Sequence, residues 1–147
     1  HANMLVPTIN KLKYRSAFDP NVILIKIFPG LSQVSFESML KIPGLRGVIL
    51  ETFGSGNVMK KTWLFDGLSK AIKSGLIVLN VSQCSGGEVI QGRYESSKIF
   101  DDLGVISGSD LTSEAAVTKL MFLLGTEKSL DSVRNKLCRP LVGEMDA

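Results

Sequence analysis

Histidine occurs once, at position 1. That scarcity removes histidine-based catalytic triads and histidine-ligated zinc from consideration. The two cysteines, Cys84 and Cys138, are too few for a disulfide scaffold and lack the paired spacing of a metal site. Aromatic residues make up only 7% and are not interleaved with arginines, which argues against a platform for single-stranded nucleic acid. The 17 basic residues exceed the 14 acidic ones by only +3, and Lys60-Lys61 is as long as any basic run becomes, so no phosphate-backbone footprint is present. No apolar stretch approaches the roughly 20 residues that span a bilayer. The opening His1-Ala2-Asn3-Met4 has no secretion-signal layout. These absences predict a cytoplasmic protein with no metal or other cofactor and with neither nucleic acid nor membrane as partner.

What is present is one domain's worth of ordinary globular chain: 147 residues, 44% hydrophobic and 21% charged. Residues 22–28, Val-Ile-Leu-Ile-Lys-Ile-Phe, form a β-branched run stopped by Pro29-Gly30, the pattern of a strand buried on both faces. Ser32 is placed to cap a helix carrying Phe36, Met39 and Leu40, which Pro43-Gly44 would end. Residues 47–50 and 76–81 read as further strands, with a helix between them carrying Leu64, Leu68, Ala71 and Ile72 and closed by Gly75. A helix over residues 96–103, a short strand at Val105-Ile106 and two more helices follow, the first capped by Thr112 and closed by Gly125, the second stopped by Pro140. The order predicts an α/β fold: a small parallel sheet of about four strands with helices on both faces, a three-layer, Rossmann-like or flavodoxin-like arrangement. Ligands in such sheets collect at the carboxyl ends of the strands, where two loops begin, residues 52–57 and 82–87.

Gly54-Ser55-Gly56-Asn57 suggests nucleotide binding but fails the test, because the third glycine of a dinucleotide fingerprint would fall on Met59. What remains is a tightly bending loop in which Asn57 offers an amide donor and acceptor, or caps the next helix. Cys84 has no histidine to make it a thiolate and reads as a small buried residue. Glu88 and Glu95 carry no spacing message, and Asp101-Asp102 reads as a solvated helix face.

Ile27-Phe28-Pro29-Gly30, the stretch from Gly47 to Asn57, Asn80-Val81-Ser82-Gln83-Cys84-Ser85-Gly86-Gly87, Gly104-Val105-Ile106-Ser107-Gly108, residues 110–116 with Lys119-Leu120, and the closing Gly143-Glu144 occur in an order that closely resembles the second half of type I, cytosolic-type L-asparaginases. The resemblance runs over about residues 22–145 and implies a carboxyl-terminal α/β domain at residues 22–147. Residues 1–21 are then an amino-terminal segment, part cloning remnant and part interdomain linker. Family enzymes carry their nucleophilic threonine in a Thr-Gly-Gly-Thr motif of an amino-terminal domain, with a second Thr-Asp pair and a lysine. None of those motifs occurs here, so no catalytic residue is expected in this chain and the fragment alone is expected to be inactive. The resemblance implies L-asparagine as substrate, the amino-terminal asparaginase domain of the same protein as partner, and a homo-oligomer, dimer or tetramer, in the full-length form.

By position, Asn57 matches the asparagine that bacterial asparaginases supply across a subunit interface, with Ser55 beside it. Glu95 lies near the place where secreted enzymes supply a glutamate, with its spacing to Val105 shifted by one. Some type I enzymes bind asparagine at a regulatory site, where a cysteine matching Cys84 and an arginine at the position of Glu51 take part. Glu51 reverses that charge, which argues against the same regulation here. The competing expectation is a freestanding small-molecule sensor or interaction domain using the same loops.

Overall fold

The structure, a computed structural model, describes residues 14–90 and 95–146, with the backbone alone for residues 95–97. Four strands, β1 (Val22–Lys26), β2 (Gly47–Thr52), β3 (Ile77–Ser82) and β4 (Ile106–Ser107), alternate with α1 (Gln33–Leu40), α2 (Thr62–Lys73) and α3 (Glu95–Leu103). Two helices follow, α4 (Ser113–Thr126) and α5 (Leu130–Leu137). The strands are parallel throughout and lie in the order β1-β2-β3-β4. Side chains alternate across the pleat and so divide the core in two. Val48, Leu50 and Val78 pack against Phe36, Leu64, Leu68 and Phe100 of the three crossover helices. Ile49, Ile77 and Leu79 pack against Ala116, Leu120, Leu123, Val133 and Leu137 of α4 and α5. The three-layer α/β fold expected from the sequence is the one that forms.

Two helix starts follow from local chemistry. The Ser32 hydroxyl accepts from the Ser35 N–H at 3.1 Å, and the Thr112 hydroxyl accepts from the Ala115 N–H at 3.2 Å. Each satisfies one of the amides that a helix leaves without an internal partner. Ser32→Ala is expected to cost about 1 kcal/mol, read as a lower urea midpoint at unchanged slope.

Three expectations need correction. The first strand is not buried on both faces: β1 is an edge strand, and Leu24, Lys26 and Phe28 are exposed while Ile25 and Ile27 are buried. A β-branched run is apolar whether it lies at the centre or at the rim, so composition does not separate the two. Gly125 does not close α4, which continues to Thr126. Its missing Cβ instead makes room for the incoming chain, since a Cβ there would lie 2.6 Å from the Ala17 carbonyl oxygen. Lastly, α1 ends at Leu40, ahead of Pro43-Gly44.

The carboxyl-terminal tail is held by a buried charge. The Lys119 side chain, on α4, is only 2% exposed, and its Nζ donates to the Arg139 carbonyl at 2.7 Å and pairs with Glu144 Oε1 at 2.8 Å. Glu144 accepts in turn from the Leu141 and Val142 N–H groups, at 3.0 and 2.8 Å. Burial alone would raise the Glu144 carboxyl, but the Lys119 hydrogen bond and the backbone donors outweigh it and hold the group at about 2.

Candidate functional site

In open α/β sheets a crevice opens where the strand order reverses. The order β1-β2-β3-β4 contains no reversal, so the described sheet opens no such crevice of its own. What its carboxyl end offers is two neighbouring loops, one after β2 and one after β3.

The first loop is pinned at each turn of the chain. Phe53 and Asn57 exchange both backbone hydrogen bonds, each at 2.8 Å, and close a tight bend. The bend needs φ of +49° at Gly54 and +103° at Gly56, a region that glycine enters without penalty. From β3, the Ser82 hydroxyl donates to the Gly54 carbonyl at 2.6 Å, and farther along the chain the Ile90 N–H donates to the Ser55 carbonyl at 3.2 Å. Beneath the loop, the Thr52 hydroxyl donates to Asn80 Oδ1 at 2.7 Å, with both side chains fully buried. Asn57 is half-buried and stands five positions ahead of α2. It does not cap that helix: the N-cap position is Lys61, with no side-chain cap bond. The backbone of Ser55 and Asn57 is therefore held in a hydrogen-bonded frame at the carboxyl end of the sheet.

The second loop is joined to the first. The Gln83 N–H donates to the Thr52 carbonyl at 2.9 Å, and its side-chain amide donates to the Ile27 and Glu51 carbonyls, the latter at 2.9 Å. The Cys84 N–H donates to the Ser82 hydroxyl at 3.0 Å, so Ser82 touches both loops. A cavity of about 290 Å³ lies here, lined by Ser82, Cys84, Gly87, Leu111, Thr112 and Glu114 among others. Cys84 is exposed rather than buried, because the chain has already left β3 when it reaches that position. Cys138 is exposed too, and neither forms a disulfide. Glu51 pairs with Lys26 at 3.6 Å and accepts from the Ser113 hydroxyl.

The remaining sequence candidates lie on or before α3. Glu95 is the first residue of α3, and its side chain lies outside the described residues, as does Tyr94. Asp101 and Asp102 are exposed on α3, as expected of a solvated face. No group of three or more histidine, cysteine or acidic side chains capable of holding a metal occurs among the described residues. Thr52, Asn80 and Ser82 were not singled out from the sequence. Their signal is polar side chains on the crossover-helix face of otherwise apolar strands.

Residues 21–137 match the family described as the glutaminase/asparaginase C-terminal domain. The chain belongs to this family. The domain is 43% identical over 108 residues to an L-asparaginase of Dirofilaria immitis, covering 73% of this chain and 18% of that protein. It is 33% identical over 122 residues to L-asparaginase 1 of Escherichia coli K12, covering 83% and 36%. It is also 38% identical over 135 residues to a 60 kDa lysophospholipase of Mus musculus, covering 91% and 24%. Among solved structures, the domain superposes on L-asparaginase I of Vibrio cholerae with a TM-score of 0.87 at 35% identity, covering 95% of this chain and 42% of that one. The resemblance to type I enzymes stands, and the domain spans less than half the length of each of these relatives.

Proposed function

We propose that the domain is the carboxyl-terminal part of an L-asparaginase, an amidohydrolase converting L-asparagine to L-aspartate and ammonia. The observation that carries this reading is the pinned loop bearing Asn57 on a sheet that opens no crevice of its own, in a chain of this family. A hydrogen-bonded loop able to orient a polar substrate, on a sheet whose described strand order opens no crevice, fits a site completed by other parts of a larger assembly. In the mechanism implied by the resemblance, a threonine of an amino-terminal domain attacks the amide carbon. Ammonia leaves, an acyl-enzyme forms, and water hydrolyses it. Residues 22–147 would add Asn57 and Ser55, with Glu95 as a further member, to a neighbouring subunit's pocket within a homo-oligomer. Part of the amino-terminal segment, residues 1–21, would be the link between domains.

Glu51 and Cys84 receive a smaller part. The Glu51 carboxylate is already engaged by Lys26 and Ser113. We therefore read it as a tie between β1, β2 and the start of α4 rather than as a receptor for a substrate carboxylate. A cytoplasmic location accords with two unpaired cysteines, and no helix among the described residues is long and apolar enough to cross a membrane. Because relatives with other names share this domain, substrate choice is assigned to the threonine-bearing domain.

The test is ammonia release. The purified 147-residue chain is expected to read at background with asparagine and with glutamine, while the longer protein carrying both domains releases ammonia from asparagine. Turnover by the short chain that disappears on a single substitution within it would overturn the assignment.

A further inference from the structure

The middle of β3 carries a polar residue that the core does not need. Asn80 is fully buried, with its Oδ1 accepting from Thr52 and its Nδ2 without a hydrogen-bond partner among the described residues. A buried donor left unpaired is a standing cost that an apolar residue of the same volume would not carry. What the planar amide allows is close approach from above. A Cβ on Gly56 would lie 3.2 Å from Asn80 Nδ2 and 2.9 Å from Val89 Cγ1, so the bare Gly56 backbone rests against the amide. Thr52, held from below by Asn80, is the last residue of β2, and the Phe53–Asn57 pairing begins at the next position.

We infer that Asn80 is a positioning residue: through Thr52 on one side and Gly56 on the other, it sets the height and tilt of the loop that presents Asn57. A leucine there would keep the volume, leave the Thr52 hydroxyl only its longer bond to the Val81 carbonyl at 3.3 Å, and press branched methyl groups where Gly56 must lie. Thr52→Val would cut that link from the other end at nearly constant shape, together with the bond to the Val81 carbonyl, and Thr52→Ser would keep both.

Amide hydrogen exchange on the 147-residue chain tests this directly. In Asn80→Leu and in Thr52→Val, the Phe53 and Asn57 N–H groups are expected to exchange about tenfold faster, with protection in β2 and β3 retained and Thr52→Ser like the parent. Unchanged exchange at those two amides, or an equal loss of protection across the whole sheet in both variants, overturns the inference. Should Asn80→Leu fail to fold, Thr52→Val decides on the same criterion.

A second readout rests on the amidohydrolase reading and uses the longer protein. Asn80→Leu should lower kcat/KM about fivefold, and combined with Asn57→Ala it should lower it no further than Asn57→Ala alone, because both changes act through one side chain. Fully additive losses would overturn the positioning role. If the unmutated longer protein hydrolyses neither asparagine nor glutamine, the functional reading fails, and the exchange result still decides the role of Asn80.

Discussion

Replacing Glu144 by glutamine is expected to destabilise the domain by about 3 kcal/mol, on the order of 10 °C in melting temperature. The change strips the charge that answers Lys119 while leaving the ammonium almost without solvent, at 2% exposure. A buried cation without its counter-charge is among the costlier single defects, whereas replacing both members by apolar groups often costs little. Lys119→Met together with Glu144→Gln should therefore recover most of the loss. The same pair dictates a pH response. Because the carboxyl stands at about 2 in the folded chain against an ordinary value near 4.5, its contribution is complete above pH 4.5 and fades as the pH falls towards 2. Urea melts of parent and Glu144→Gln between pH 7 and pH 2.5 should converge at the acid end. Curves that stay equally separated throughout would mean that the charge is not the source of the stability.

Asn57→Ala, in the longer protein, is expected to lower kcat/KM for asparagine by about ten- to a hundredfold, or roughly 1–3 kcal/mol of transition-state binding. A side chain that orients a substrate binds in the ground state as well as in the transition state, so its loss weakens turnover without abolishing it. Asn57 stands ahead of the helix instead of at its cap, and the loop's closing hydrogen bonds run through its backbone, which alanine retains. Steady-state kinetics and a thermal melt on the one variant decide the matter: a lowered melting temperature with unaltered kinetics would return the residue to a structural role.

Much of this arrangement could be read from residue order because periodicity reports which side of an element is apolar. Ser32 and Thr112 stand where the caps form, and Leu64, Leu68 and Ala71 line the buried side of α2. Periodicity is silent on what lies beyond the element. The exposure of Leu24 and Phe28 goes with β1 standing at the rim of the described sheet, and the use of Gly125 depends on a chain crossing at Ala17. Both are facts of topology that no local window contains. For the site, the two glycines of residues 54–57 announce the tight bend that forms, while the roles expected of Asn57, Ser55 and Cys84 come from the resemblance and not from their spacing. Asn80 and Lys119 look like ordinary polar residues until the fold encloses them, one under Gly56 and the other beneath the carboxyl-terminal tail.

The rim of the sheet at β1 bears on how the molecule behaves in concentrated solution. β4 ends the opposite rim after two residues, too short to template much, but β1 presents five residues whose outer backbone groups face no described strand. Charged side chains are a usual guard against strand-to-strand aggregation at such a rim. Here the only charge in the strand is Lys26, and its ammonium is drawn over the sheet towards Glu51, while Leu24 and Phe28 stand exposed on either side of it. A guard leaning inward protects less than one projecting outward. Preparations of the domain by itself should accordingly be prone to edge-on self-association, and high salt, which weakens the remaining charge repulsion, should make them more so.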